Sequence, residues 1–483
     1  MVFNNGDLRA ILPLIVITIW ASFLLLVVVF NKKASPAQAP ILTAIGLLVT
    51  GFFLATQLDL EIEAFGGMLV VDGFSIFINM LLIVGGLLTV ALSYDYLKRM
   101  NLARGEYYVL MLFSISGMML MASAADLIVV FLALELLSIP LYVLAAFARP
   151  EARSEEAGLK YFLLGAFSSG FLVYGIALVY GASGTTSLNG IFAAAQAGMD
   201  YPIYLLLGAG LILVGLGFKV AAVPFHMWTP DVYQGAPTAV TAFMAVGAKA
   251  GGFAALLRVF SVAFPSLSAQ MVPVLWAISA VTLIIGNLAA IAQNNVKRML
   301  AYSSISHAGF IMMAVVAYGN DAARFDVVAS ALFYLLAFAF ASFGSWAVVI
   351  ALEQREGRGL EFKDYAGLGR KRPALAVAMA VFMLSFTGVP PTLGFAGKFF
   401  LFRAVLEGGY VGLAIIGVLA SLISAYYYLR LVVVMFMQEG KPDVRRETWL
   451  EFTAGISAIA TVLLFIFSQP LFGWAAQAVL KLF

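Results

Sequence analysis

Four titratable side chains stand almost alone inside long apolar stretches of this sequence: Glu135, Lys219, Lys249 and Lys398. Lys219 is the only charge between Asp200 and Asp231, Lys249 the only one between Asp231 and Arg258, and Lys398 the only one between Arg372 and Arg403. A charge in hydrocarbon is costly and ordinarily faces a bundle interior or a water cavity, so such residues mark proton or ion paths. Burial disfavours an ammonium and a nearby carboxylate favours it. A movable Glu–Lys pair can therefore switch an amine between holding and releasing a proton. The alternatives are a fixed ion pair for each lysine and, for Glu135, a protonated carboxyl held by hydrogen bonds.

These residues need helices to position them across a bilayer. The 483-residue chain is 63% hydrophobic and 11% charged, with a mean hydropathy of +1.01, which makes it an all-α polytopic membrane protein. A span takes about 20 apolar residues. The apolar runs separate into fourteen spans near 9–30, 38–57, 73–97, 107–125, 127–148, 159–180, 202–224, 236–262, 271–293, 299–318, 326–352, 373–405, 409–437 and 450–470. Glu135 is then about 13 Å along the fifth helix, near the middle of the hydrocarbon. The first span lacks a basic flank before it, so a cleavable signal is not expected. There is no cysteine and there are two histidines, so a metal, haem or iron–sulfur centre in this chain is not expected either.

Lys and Arg favour cytoplasmic loops. With the N-terminus outside, 19 of the 28 fall on one face, among them Lys32, Lys33, Arg99, Lys160, Lys297, Arg298, Arg355 and Arg372. The opposite face has only Arg9, Arg324 and Lys481. Both termini are accordingly expected on the outer side, and the net charge of +3 reflects topology, not nucleic-acid binding. Loops 353–372 and 441–447 are expected at cytoplasmic headgroups. Residues 58–72 read as an acidic external connector with strand-like alternation, suited to assembly. Tyr426, Tyr427 and Tyr428 read as helix packing.

Two helices carry breakers beside their charges, Pro224 five residues after Lys219, and Pro390 and Pro391 shortly before Lys398. Proline interrupts a helix, and freed backbone at membrane depth survives only in protein or a hydrated cavity. Helices seven and twelve are therefore expected to be discontinuous. The 166 residues between Pro224 and Pro390 match the spacing of helices four and nine. Helices four to eight (101–265) and nine to thirteen (266–440) thus read as two inverted five-helix repeats, flanked by a three-helix segment (1–100) and a last helix (441–483). Paired breaks in inverted repeats mark a transport site. Lys219 precedes its proline whereas Lys398 follows its own, which leaves their relative depths open. Second in rank stand His307, near mid-membrane and able to relay protons, with a neutral histidine hydrogen-bonded in the bundle as its alternative; His226, expected to shape the loop at the end of helix seven; and Tyr302 and Ser303, with water-holding or packing as their roles.

The run Pro224-Phe225-His226-Met227-Trp228-Thr229-Pro230-Asp231-Val232-Tyr233-Gln234-Gly235-Ala236-Pro237-Thr238-Ala239-Val240-Thr241-Ala242-Phe243 strongly resembles the antiporter-like membrane subunits of respiratory complex I. So do Leu134-Glu135-Leu136-Leu137-Ser138-Ile139-Pro140, Leu159-Lys160-Tyr161-Phe162 and Asn295-Val296-Lys297-Arg298-Met299-Leu300-Ala301-Tyr302-Ser303-Ser304-Ile305. The resemblance covers roughly 70–435. It implies a proton-translocating subunit of the bacterial inner membrane, lying in the complex's membrane arm beside other antiporter-like subunits. It also implies that FMN, iron–sulfur clusters and quinone belong to partner subunits. Within that resemblance Glu135 and Lys219 correspond to the modulating pair, Lys249 to the central hydrated axis and Lys398 to the exit side. A subunit of a multisubunit Na+/H+ antiporter or of a membrane-bound hydrogenase has the same helices and lysines and is the alternative. A membrane transferase would need a cluster of carboxylates or histidines at one face, which the sequence lacks.

Overall fold

The computed structural model describes residues 5–31, 35–58, 60–317 and 324–478. Lys32, Lys33, Asp59 and Lys481, as well as the Arg324 side chain, lie outside this description. In chain order the membrane helices are α1 (Asn5–Phe30), α2 (Gln38–Ala55), α3 (Gly73–Arg99), α4 (Glu106–Ser123), α5 (Leu127–Ala145), α6 (Ala152–Ser183), α7a (Pro202–Val220), α7b (Trp228–Gly235), α8 (Thr238–Val262), α9 (Ser268–Ile291), α10 (Val296–Ala317), α11 (Arg324–Leu352), α12a (Pro373–Thr387), α12b (Leu393–Glu407), α13 (Val411–Met437) and α14 (Thr448–Ile466). Thirteen are long and apolar enough to cross a membrane, and the fourteenth is the divided α12.

The element ends follow local chemistry. Asp72 caps α3 in a reciprocal capping box with Ser75, Asp126 caps α5 through Ile128 N at 2.8 Å, and Pro202 and Pro373 open their helices. The connector before α3 forms a two-stranded hairpin, β1 (Ile62–Ala64) against β2 (Leu69–Val71), with Glu63 opposite Val70. Helix α6 begins seven residues earlier than expected, because its charged first turns, with Arg153, Glu155, Glu156 and Lys160, continue the helix beyond its apolar stretch.

The breaks obey proline geometry. Proline cannot donate to the carbonyl four residues back and clashes with it. Counting four back from Pro224 gives Val220, the last residue of α7a, and four back from Pro391 gives Thr387, the last of α12a. Helix seven was expected to run to 224, so the proline's reach explains why it stops at 220. Ala221 and Gly388 then turn the chain away with φ of 62° and 89°.

Burial grades inward. The apolar windows of α8, α10 and α11 are 100%, 94% and 89% buried, against 22% for α1 and 28% for α14. The central helices thus have protein on every side, and the outer ones leave Ile19, Phe52, Leu422 and Ile466 exposed on the outside of the bundle. Ion pairs pin the polar end: Asp231 on α7b accepts from Lys160 at 3.0 Å and from Arg298 at 2.8 Å. At the same end, loops 353–372 and 441–447 meet: Gln354 donates to Asp443 at 3.1 Å and Lys371 to the Pro442 carbonyl at 2.6 Å.

Candidate functional site

Lys219, Lys249 and Lys398 are 4%, 2% and 4% exposed. Each ammonium rests on neutral oxygens and an aromatic face. Lys219 donates to Ser138 Oγ at 2.8 Å and Tyr161 OH at 3.1 Å, with the Tyr161 ring centroid at 5.3 Å. Lys249 donates to the Ser304 carbonyl and lies 5.9 Å from the Phe338 centroid. Lys398 donates to the Thr387 carbonyl and Ser421 Oγ, both at 3.0 Å, and sits 4.4 Å over Phe310. Among the described residues none of the three makes an ion pair with a carboxylate. Arg258, by contrast, is clamped by both oxygens of Asp72 at 2.9 Å. A buried cation without a fixed anion is expensive to keep charged, so these amines are suited to giving up a proton.

Glu135 and Lys219 are linked through intermediaries. Glu135 is half-buried on α5 and accepts from Ser169 of α6 at 2.5 Å. Ser138, three residues on and therefore on the same face, accepts a hydrogen bond from Lys219 and donates its own to the Leu134 carbonyl. The neutral hydroxyl that holds Lys219 thus lies one helical turn from the Glu135 carboxylate.

Both lysines beside breaks meet the carbonyl end of a half-helix. Lys219 lies in the last turn of α7a. Lys398 reaches back from α12b to the Thr387 carbonyl that Pro391 leaves unbonded. Helix C-termini favour cations, so the different sequence order of lysine and proline leads to one kind of environment. The Lys398 stem crosses Gly388, where a β-carbon would lie 2.9 Å from Lys398 Cδ. Gly388→Ala is expected to cost about 1 to 2 kcal/mol for a left-handed backbone and to push Lys398 off Thr387. Thermal unfolding of the purified variant against wild type would check the cost.

The elements that carry the lysines pack on one another. A β-carbon at Gly252, one turn past Lys249 on α8, would lie 3.3 Å from Lys219 Cγ. A π-helical turn, Met244–Ala248, immediately precedes Lys249; such turns re-aim the residues after them. Beyond Lys249, His307 bonds Tyr334 OH at 2.7 Å through Nδ1 and Tyr428 OH at 3.1 Å through Nε2. Its ring lies 4.9 Å from Phe338 and 6.1 Å from Phe310, the rings that face Lys249 and Lys398. Ser303 bonds Tyr428 OH, and Tyr427 OH donates to Asn287, which donates to Ser306 at 2.8 Å.

Of the second-ranked residues, the structure brings His307 and Ser303 into this series. Tyr302 instead lies under Arg298, and His226 sits half-buried in the interruption of helix seven, its Nδ1 without a partner among the described residues. The tyrosine run does more than pack: Tyr427 and Tyr428 are buried and hydrogen-bonded, whereas Tyr426 is exposed. Sequence reasoning did not single out Ser138, Tyr161, Ser169, Ser421, Tyr334 or Asn287 as site residues. The signal for Ser138 was its spacing of three from Glu135.

A family model described as NADH:quinone oxidoreductase/Mrp antiporter, TM, matches residues 124–424, which include all four lone charges. The NADH-quinone oxidoreductase subunit N of Chloroflexus aggregans is 44% identical over 99% of this chain and 98% of its own. That of Trichlorobacter lovleyi is also 44% identical, with the same coverage. A chain of respiratory complex I from Thermus thermophilus, solved with bound aureothin, superposes with a TM-score of 0.82 at 37% identity, over 96% of this chain and 99% of that one. A chain of the Mrp complex from Dietzia sp. DQ12-45-1b, 20% identical over 98% and 97%, has a TM-score of 0.85 and shares the fold. On the full-length identity and the family match together, the chain belongs to the NADH:quinone oxidoreductase/Mrp antiporter membrane-subunit family, among the NADH-quinone oxidoreductase N subunits.

Proposed function

We propose that this chain carries protons across a bacterial inner membrane as an antiporter-like subunit in the membrane arm of respiratory complex I. The supporting observation is the series of three buried lysines, each held by neutral oxygens and an aromatic face instead of a carboxylate. A structural ion pair needs a fixed partner; a relay needs an amine that can be emptied. The whole-chain identity to N subunits favours this reading over an Mrp-type subunit, whose likeness at 20% identity extends to fold.

In this reading, electron transfer in partner subunits, which hold FMN, iron–sulfur clusters and quinone, drives Lys219 between Ser138 and Glu135. When Lys219 leaves Glu135 it loses its anion, and its proton passes to Lys249 and then by His307 to Lys398 and the outside. Moving one charge against 100 mV takes about 2.3 kcal/mol. A rearrangement that changes the amine's proton affinity ten- to a hundredfold is worth about 1.4 to 2.7 kcal/mol, which is comparable.

Both termini lie on the outer side, and loops 353–372 and 441–447 on the cytoplasmic side, where their bonds to each other agree with a shared face. Residues 101–265 and 266–440 form the two inverted repeats. In each, the second helix bonds the third through polar side chains, Glu135 with Ser169 and His307 with Tyr334. The partners are other membrane-arm subunits. Glu135→Ala and Lys219→Ala, each in the assembled complex, are expected to lower NADH-driven proton pumping in inverted vesicles strongly. Wild-type pumping in both variants would overturn the modulating pair.

A further inference from the structure

One buried acid–base pair lies apart from the four lone charges. Lys297, at the start of α10, and Glu353, just past α11, are 2% and 6% exposed. Lys297 Nζ donates to the Ala236 carbonyl at 2.7 Å and stands 3.9 Å from Glu353 Oε1. Glu353 Oε2 is buried and, among the described residues, has no hydrogen-bond partner. This is unlike the structural clamp at Arg258, where both carboxylate oxygens are engaged at 2.9 Å. A buried carboxylate oxygen left unbonded costs free energy that folding alone gives no reason to spend.

The pair opens into a cavity of about 470 Å³ lined by Tyr96, Arg153, Gln234 and Asn295, with Lys297 and Glu353 in its wall. The cavity's polar wall and size suit a column of water. Glu353 also influences Tyr365, whose phenol is pushed well above its usual range by burial and then by the charges of Glu353 and Asp364.

From the pair, buried polar groups lead inward. Thr238 Oγ1, at the start of α8 and beside the Tyr96 phenol, and Ser304 Oγ, on α10 and beside the Tyr233 phenol, are both buried. Ser304 follows Lys297 by seven residues, on the same helix face and about 10 Å deeper. The Ser304 carbonyl is the group that holds Lys249. We propose that Lys297, Glu353 and their cavity form the port by which protons from the water on the side of loop 353–372 are loaded and passed along the α8–α10 seam to Lys249. Glu353 takes the proton from cavity water at its free oxygen, and Lys297 lowers the cost of the carboxylate once the proton has gone on. The port rests on the reading of Lys249 as a relay.

The test uses the assembled complex in vesicles and takes advantage of a chain without cysteine. In Glu353→Cys, a membrane-impermeant methanethiosulfonate should label this subunit from the side of loop 353–372 and not from the other. Glu353→Gln should lower NADH-driven pumping about tenfold, and Glu353→Asp should restore most of it. The port is overturned if the cysteine is labelled from neither side or only from the opposite one. It is also overturned alone, with the relay intact, if Glu353→Gln pumps like wild type while Lys249→Met does not. Wild-type pumping in both variants would remove the relay as well. If Glu353 variants do not assemble, Lys297→Cys, judged by the same labelling outcomes, carries the test.

Discussion

Lys249→Met is expected to stop proton transfer through this chain, with a loss of at least about a hundredfold in the rate through this path, the usual scale for removing a proton-transfer group. Methionine keeps most of the volume and the apolar stem, so packing against Phe338 persists and the Ser304 carbonyl loses its donor. Lys249 is the member with the fewest substitutes. Lys219 has Ser138 and Tyr161 beside it, and Lys398 has Ser421 and Thr387, but Lys249 has only the Ser304 carbonyl and faces Phe338, the ring that also packs on His307. Lys249→Arg should rescue little, because a guanidinium is not deprotonated in proteins. Pumping by vesicles holding equal amounts of assembled complex would check both variants.

The second large effect concerns stability. Asp72→Asn should destabilise the subunit by about 3 to 5 kcal/mol, since removing one partner leaves a buried charge uncompensated. Asn is as good an N-cap as Asp, so the start of α3 survives and the loss reports on Arg258. Arg258 is 2% exposed, bonded to both Asp72 oxygens and to the Ala122 carbonyl. Asp72→Asn combined with Arg258→Met should be more stable than Asp72→Asn alone, because the double change removes the orphaned charge. Thermal dissociation of the purified complex in detergent would give the order: wild type highest, double variant next, Asp72→Asn lowest.

Much of the fold was legible because a bilayer makes helix count a matter of apolar length, and because proline's reach to the residue four back marks where α7a and α12a stop. The charged members of the site were legible for the same reason: Lys219, Lys249 and Lys398 stand alone in apolar runs. Their partners were hidden. Ser138, Ser169 and Tyr334 are ordinary residues in membrane helices, and only packing shows which face a titratable group. The π-helical turn before Lys249 left no composition signal, since Met244–Ala248 reads as any apolar helix. The relation of Lys398 to α12a is a bond across a break, and sequence order alone made it look unlike Lys219. The hairpin at 62–71 was visible as alternation, but Asp72's bond to Arg258, 186 residues away, was not.

The most direct test is the ratio of protons moved to NADH oxidised, measured in proteoliposomes with the purified wild-type complex and with Lys249→Met. A relay through Lys249 predicts that the ratio falls, or that NADH oxidation and pumping collapse together if the two are strictly coupled. An unchanged ratio at an unchanged rate of NADH oxidation would contradict it.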